Sequence, residues 1–208
     1  KNLYAGMGTP FSGGLADTDF GHNPALKPYP HDPARAKALL AEAGVPGGID
    51  VTLHAGSGTM VNDKHLVEVI ADMWAKVGIR ARVAMMEMGA RQRMNNDRTV
   101  PPSGLLLINP QSTLLDADGS LWRLFHPSGF GGKYWAGSQP GQRFHALMEQ
   151  ARYSLDQRRR KSLYTEATQI IHDEKPWLEL FQEVVVYGTS RRVQFRARPD
   201  YRLIVALK

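Results

Sequence analysis

The sequence predicts an α/β fold, a mixed, mostly parallel sheet with helices on both faces. Three observations carry that expectation. Residues 49–54 (IDVTLH) and 79–86 (IRARVAMM) alternate apolar and polar side chains, as half-buried strands do. Between them Leu66, Ile70, Met73, Trp74 and Val77 recur at helical spacing, and Gly78 ends the run. Residues 104–109 (GLLLIN) form a continuous apolar run of the kind a central strand needs when both its faces are buried.

The elements follow in order. Residues 1–26 are rich in Gly, Pro and Asp, show no period, and read as a loop running over a surface. Pro28, Pro30 and Pro33 hold the next stretch extended. Asp32 is then an N-cap, with Pro33 at the first helical position. Ala36, Leu39, Leu40 and Ala43 form one apolar face, and Gly44 with Pro46 stops the helix. So short a helix needs something to lean on. Strand 49–54, helix 63–77 and strand 79–86 have short joints, a βαβ unit that should be parallel. A short helix near 90–95 precedes the 104–109 strand. Another is expected near 121–125, with Asp118 as its cap. Residues 127–141 read as an irregular, Gly-rich aromatic loop. Two helices follow, one burying Phe144, Leu147, Met148, Ala151 and Leu155. The other is capped by Asp156 and buries Leu163, Tyr164, Ala167, Ile170 and Ile171. Residues 177–187 are strand-like, and 202–207 should close the sheet.

Composition narrows the function classes. With 208 residues, 42% of them hydrophobic and 22% charged, the chain can bury a real core and is neither disordered nor membrane-embedded in character. It has no cysteine, which excludes disulfides, a thiol nucleophile and cysteine-zinc sites. The net charge of +6 would permit an acidic partner, but the basic residues are scattered. The one dense run, Arg158 to Lys161, reads as a solvated helix face.

Few patterns point to chemistry. The loop Gly56-Ser57-Gly58-Thr59 could cradle an anion but lacks dinucleotide or P-loop spacing, and reads as an ordinary βα turn. The seven histidines are dispersed, with no pair at i, i+4, and read as surface or loop residues; no metal site is expected. LLDADG lacks the downstream glutamate of a calcium loop. No nucleophile elbow or triad spacing appears, so no catalytic residue is assigned. Ligands of open α/β sheets sit outside the carboxyl ends of strands. The candidate binding residues are therefore Asn109, Gln111, Ser112 and Thr113 after the 104–109 strand, with the arginines of 91–98. Tyr134 and Trp135 would be apolar walls. Trp122 belongs either to such a wall or to the core.

Together these pieces resemble the extracellular solute-binding proteins of family 5. PYPHDPARAKALLAEAG (28–44) resembles that family's Y-x-Y-D-P-x-x-A-x-x-L-L-x-E-A-G signature. LVEVIADMWAKVGIRARV (66–83) resembles its helix ending L-x-x-x-G-I and the strand that follows. DADGSLWRLFHPSG (116–129) and residues 144–182 resemble two further motifs in the expected order. The resemblance covers residues 6 to 208.

It implies a periplasmic-binding-protein-like (type II) lobe that closes on a ligand by a hinge and is not an enzyme. On this reading residues 1–26 are an irregular segment continuing from a missing N-terminal portion, and 27–208 are the C-terminal solute-binding lobe. The implied partners are a small-molecule or peptide solute, the membrane permease of an ABC importer and the missing N-terminal lobe of the same chain. No cofactor and no nucleic acid are implied. The implied address is periplasmic or extracellular, a lipid anchor being one form of it. Peptide-binding relatives often carry Gly-Trp and then an aspartate after the strand matching 104–109. Here the region reads INPQSTLLDAD, with Thr113 near the aspartate position. The arginine that dipeptide receptors place after an E-W-G turn falls near Met94, beside Arg93. A free-peptide zwitterion is therefore not the expected solute; a more neutral or differently charged one is. The alternative is the solute-sensing domain of a bacterial transcription regulator, although no recognition helix is visible.

Overall fold

The computed structural model describes residues 4–58, 60, 62–101, 103–107, 114–129, 131–200, 202 and 204–207. The chain forms two compact units. One is Tyr29–Pro110; the other combines Lys1–Pro28 with Gln111–Lys208.

In the 29–110 unit the first element is α1 (Pro33–Glu42). The Asp32 carboxylate accepts the Arg35 N–H at 2.9 Å, and Pro33 opens the helix, as the sequence predicts. At the far end Gly44 N–H bonds Ala41 O at 3.0 Å and Val45 N–H bonds Leu40 O at 2.9 Å, the paired bonds of a Schellman stop. No residue of α1 is buried among the described residues, and Leu39 is 49% exposed. Ala36 and Leu40 on its apolar face are half-buried, and the capping bonds fix both ends of the helix.

The sheet is built around β2 (Ile49–Gly56); β1, introduced below, precedes it in the chain. It pairs in parallel with β3 (Ile79–Met86), in register from Ile49↔Ile79 to Gly56↔Met86. On its other side it pairs in parallel with β4 (Gly104–Leu106). The order β3-β2-β4 makes β2 the central strand. Leu53 and Ala55 pack with Val83, Met85, Leu105 and Leu107 beneath Val67, Ile70 and Trp74 of α2 (Asp63–Ala75). Met73, expected on that stripe, lies at its edge and is 44% exposed. The opposite face of the sheet starts polar. Arg80 forms a two-pronged pair with Asp50, both bonds 2.8 Å, and Arg82 reaches toward Thr52. Toward the carboxyl end this face turns inward at His54, which is buried.

The chain enters β2 through a close approach of two glycines. Gly48 has φ +86° and Gly78 has φ +98°, and Ile49 N–H bonds Gly78 O at 3.1 Å. A Cβ on Gly48 would run into the Gly78 carbonyl.

The second unit has its core between α5 (Gln139–Tyr153) and α6 (Gln157–Glu174). Phe144, Leu147, Met148 and Ala151 meet Tyr164, Ala167, Ile170 and Ile171 there. Leu155, expected on the inner face, is fully exposed because α5 ends before it, at Ser154. Asp156 caps α6 by accepting the N–H groups of Arg158 and Arg159. Of the basic run, Arg158, Arg159 and Lys161 are exposed, but Arg160 turns inward. Its Nη2 donates to both Asp116 oxygens (3.0 and 3.2 Å) and to Tyr164 Oη (3.1 Å), and its Nε donates to Ala151 O. Asp116 also accepts the Asp118 N–H at 2.9 Å, so Asp116, not Asp118, caps the turn that follows. A π-helical stretch, Asp118–Trp122, runs into α4 (Arg123–Phe125).

Residues 4–28 are not the surface loop the composition suggests. Leu15 is 1% exposed and joins the core; Ser12, Asp19 and Asn23 are buried. Strand β1 (Gly8–Thr9) pairs antiparallel with β5 (Gln182–Glu183). Of the strand-like run 177–187, only these two residues join a ladder among the described residues, and Val184 and Val186 are exposed. A last antiparallel pair joins β6 (Val193–Phe195) to β7 (Val205–Leu207). The mixed sheet content is thus a parallel three-stranded sheet plus two small antiparallel ribbons.

Two stability outcomes follow. Gly48→Ala combines a Cβ in left-handed backbone with a backbone clash; the expected loss is about 2 kcal/mol, read as a lower urea midpoint with unchanged slope. Asp156→Ala removes a cap with two amide bonds and should cost about 1 kcal/mol, while Asp156→Asn should keep most of it; an equal loss in both would refute the capping role.

Candidate functional site

The carboxyl ends of β2 and β4 and the start of α3 (Met88–Asn96) meet in the 29–110 unit. Helix α3 follows β3 directly. Glu87 starts it by accepting the N–H groups of Gly89 (2.8 Å) and Ala90 (3.1 Å). Those two bonds hold its carboxyl below the ordinary value, and the Arg93 charge adds to the effect.

Arg91 and Asn95, four residues apart, share the buried face of α3. Arg91 is 9% exposed. Its Nη1 donates to Leu107 O at 3.4 Å and its Nη2 lies 3.4 Å from Met88 Sδ, while Nε has no partner among the described residues. Burial pushes its guanidinium down from the ordinary value, with no carboxylate opposing it among the described residues. A buried cation without a counter-charge among the described residues is costly.

His54 stands next to it in the chain of contacts. Leu107 N–H bonds His54 O at 2.8 Å, and the carbonyl of the same Leu107 takes the Arg91 bond. The His54 ring is 7% exposed, and neither ring nitrogen has a partner among the described residues. Burial, then the Arg82 charge, push its pKa down, so it is neutral near pH 7. The expectation of surface histidines fails here because a central strand buries both faces.

The residues named from sequence fall in different places. Arg93 is exposed on α3, its guanidinium near the Glu87 and Gly89 end of the helix. Asn109, Gln111, Ser112 and Thr113 lie outside the described residues. Tyr134 and Trp135 belong to the other unit. Tyr134 ends a single 3-10 turn, Gly132–Tyr134, and is 49% exposed. Trp135 is half-buried; its indole N–H donates to Phe125 O at 3.0 Å and its ring lies 5.4 Å from that of Phe144. Trp122 is also half-buried against the core, stacked on His126 at 3.6 Å. The Gly56–Gly58 loop faces its own anion: Gly58 N–H donates to the Asp63 carboxylate at 2.6 Å. Sequence reasoning did not single out Arg91 and missed His54. The signals were present: Met88, Arg91 and Asn95 form one helical stripe away from Arg93, and His54 alternates with Leu53 and Ala55.

Comparison with known proteins places this geometry. The sequence profile of the bacterial extracellular solute-binding proteins, family 5 Middle, matches residues 1–132. The glutathione-binding protein GsiB of Salmonella choleraesuis (strain SC-B67) is 28% identical over 208 residues, covering 96% of this chain and 40% of that protein. The structure of HbpA2 from Haemophilus parasuis superposes with a TM-score of 0.81 at 29% identity, covering 99% of this chain and 41% of the other. DppA from Helicobacter pylori, solved with the peptide STSA, gives 0.72 at 28% identity, covering 87% and 35%. The chain thus spans about 40% of the length of the curated relatives it matches. These neighbours are type II periplasmic binding proteins, binding proteins and not enzymes. With the profile covering more than half of its residues, the chain belongs to the bacterial extracellular solute-binding proteins of family 5.

Proposed function

We propose that this chain is the C-terminal lobe of the substrate-binding component of an ABC importer, and that it captures a peptide or related small solute carrying an acidic group. The solute is held by hinged closure against a second, N-terminal lobe and handed to the membrane permease. The address is periplasmic or extracellular, with a lipid anchor as one way of staying near the permease. The observation that carries the acidic group is the buried guanidinium of Arg91, which lacks a carboxylate partner among the described residues. Arg93 and Asn109 are proposed as further polar contacts within the 29–110 unit; Gln111, Ser112 and Thr113 (polar) and Tyr134 and Trp135 (apolar) are proposed separately as solute contacts of the other unit. The names of relatives support the class: one binds glutathione and another was solved with a four-residue peptide.

The test is calorimetry on the full-length protein as its gene encodes it, with glutathione and the peptide STSA as probes. Saturable micromolar binding of at least one is expected; binding of neither overturns the peptide reading. Arg91→Gln should weaken the bound probe at least tenfold, the loss of a charge-assisted hydrogen bond of about 1.5–3 kcal/mol. Amidating the probe's terminal carboxylate should cost the wild type a similar factor and the variant little. Equal affinities of wild type and Arg91→Gln would refute the acidic-group assignment.

A further inference from the structure

The turn between α5 and α6 carries an inference independent of the solute site. Tyr153 ends α5 and is 79% exposed; Leu155, two residues on, is 97% exposed. These are the two most exposed large hydrophobic side chains among the described residues, and they share one turn. Leu155 stands just before Asp156, the N-cap of α6. An apolar side chain there usually packs against the fourth helical residue. Here that residue is Arg160, whose guanidinium turns inward to Asp116, Tyr164 and the Ala151 carbonyl, so Leu155 is left uncovered.

The turn is held in place. Ser154 N–H bonds Ala151 O at 3.3 Å, Ser154 Oγ donates to Asp156 O at 3.4 Å, and Arg160 Nε donates to the same Ala151 carbonyl at 3.3 Å. Asp156 is the one carboxylate in residues 152–161, and it is committed to the amides of Arg158 and Arg159. The start of α6 adds Arg158, Arg159 and Lys161, all exposed and without a side-chain partner among the described residues. Arg35, Arg80 and Arg143, also on the surface, each pair with a carboxylate. The three unpaired cations further crowd the positive end of the α6 dipole, a charge that an external anion would relieve.

We propose that this turn is a contact with an anionic lipid surface: Leu155 and Tyr153 enter the headgroup layer, and Arg158, Arg159 and Lys161 lie against lipid phosphates. Charge complementarity selects an anionic partner. Shape selects lipid over an acidic protein. Two apolar side chains on a projecting turn offer far less area than the roughly 800 Å² per partner of a stable protein interface, whereas a fluid headgroup layer needs no matching surface. Tyrosine rings settle at headgroup depth, and arginine and lysine stems reach from there to the charged layer. Nothing in this assignment depends on which solute the chain binds.

The test is flotation of the full-length protein, made without lipid modification, with two kinds of vesicle. One is phosphatidylcholine alone; the other is phosphatidylcholine and phosphatidylglycerol in equal parts. Binding is expected to the anionic vesicles only, and it should weaken as added salt shortens the screening length. Replacing Arg158, Arg159 and Lys161 by Gln should weaken it about fivefold per cation, about a hundredfold in all. Leu155→Asn leaves the net charge unchanged and should cost about tenfold. Leu155→Trp should bind more tightly, because indole favours the membrane interface. These side chains are exposed, so the variants should keep the wild-type urea midpoint. No binding to anionic vesicles, or equal binding by wild type and Leu155→Asn, overturns the proposal. Preference for soluble polyglutamate over the vesicles, lost in the triple Gln variant, would overturn it in favour of an acidic protein surface.

Discussion

The 29–110 unit depends on β2, a central strand whose carboxyl half, Leu53 to Gly56, is buried on both faces. Its eight residues pair with β3 along their whole length and with β4 through Thr52, Leu53 and His54. That pairing aligns three strand ends at one edge of the sheet. It also forces the alternation of β2 to mean something unusual. Leu53 and Ala55 go under α2, and His54 must be buried on the other side, though its ring is polar. The polar residues of that face that stay near water, Asp50 with Arg80 and Thr52 with Arg82, lie toward the start of the strands. The exposed Asp50–Arg80 pair adds little stability. It marks the wet end of a face whose other end is dry, and the dry end is where an ionic solute group would gain most from a guanidinium.

The second unit depends on a different device. Helices α5 and α6 supply the core, but long irregular stretches must be held against them without a sheet to organise them. Arg160 does much of this. From one position on α6 it bonds the Ala151 carbonyl near the end of α5, the Tyr164 hydroxyl and the carboxylate of Asp116. Asp116 in turn caps the π-helical stretch and belongs to an isolated bridge with Phe20. A half-buried guanidinium with several acceptors is well satisfied, unlike Arg91, and the contrast separates a structural arginine from one with bonding capacity to spare.

Much of the fold was legible because its signals are local. The βαβ unit, the Asp32 and Asp156 caps, the stop after Gly44 and the inner faces of α5 and α6 each follow from a few neighbouring residues. What sequence misplaced depends on distant partners. Residues 4–28 have no period, yet Leu15 enters the core, because neighbours a hundred residues away define that site. Leu155 continues the spacing of α5 but lies beyond its end. Residues 177–187 have strand composition, but only Gln182 and Glu183 meet a partner among the described residues. Asp118 reads from sequence as the cap of the next short helix, yet it is the Asp116 carboxylate that accepts the Asp118 N–H, and composition alone cannot say which carboxylate reaches the amide. Of the candidate site, Arg93 was chosen by its alignment position, whereas the helical stripe singles out Arg91.

The charge balance can be read again with these placements. A net charge of +6 suggests an electrostatic surface, but the informative cations are not the exposed ones. Arg158, Arg159 and Lys161 are solvated and screened over about 8 Å at physiological salt. Arg91 is withdrawn from water, where a nearby charge would be felt strongly. Discrimination between solutes comes from such desolvated groups, because the cost of leaving them unpaired falls on every wrong ligand. On the proposed receptor reading, such a lobe selects by what it buries, and its specificity is expected at the dry end of β2 more than in the sum of its surface charge.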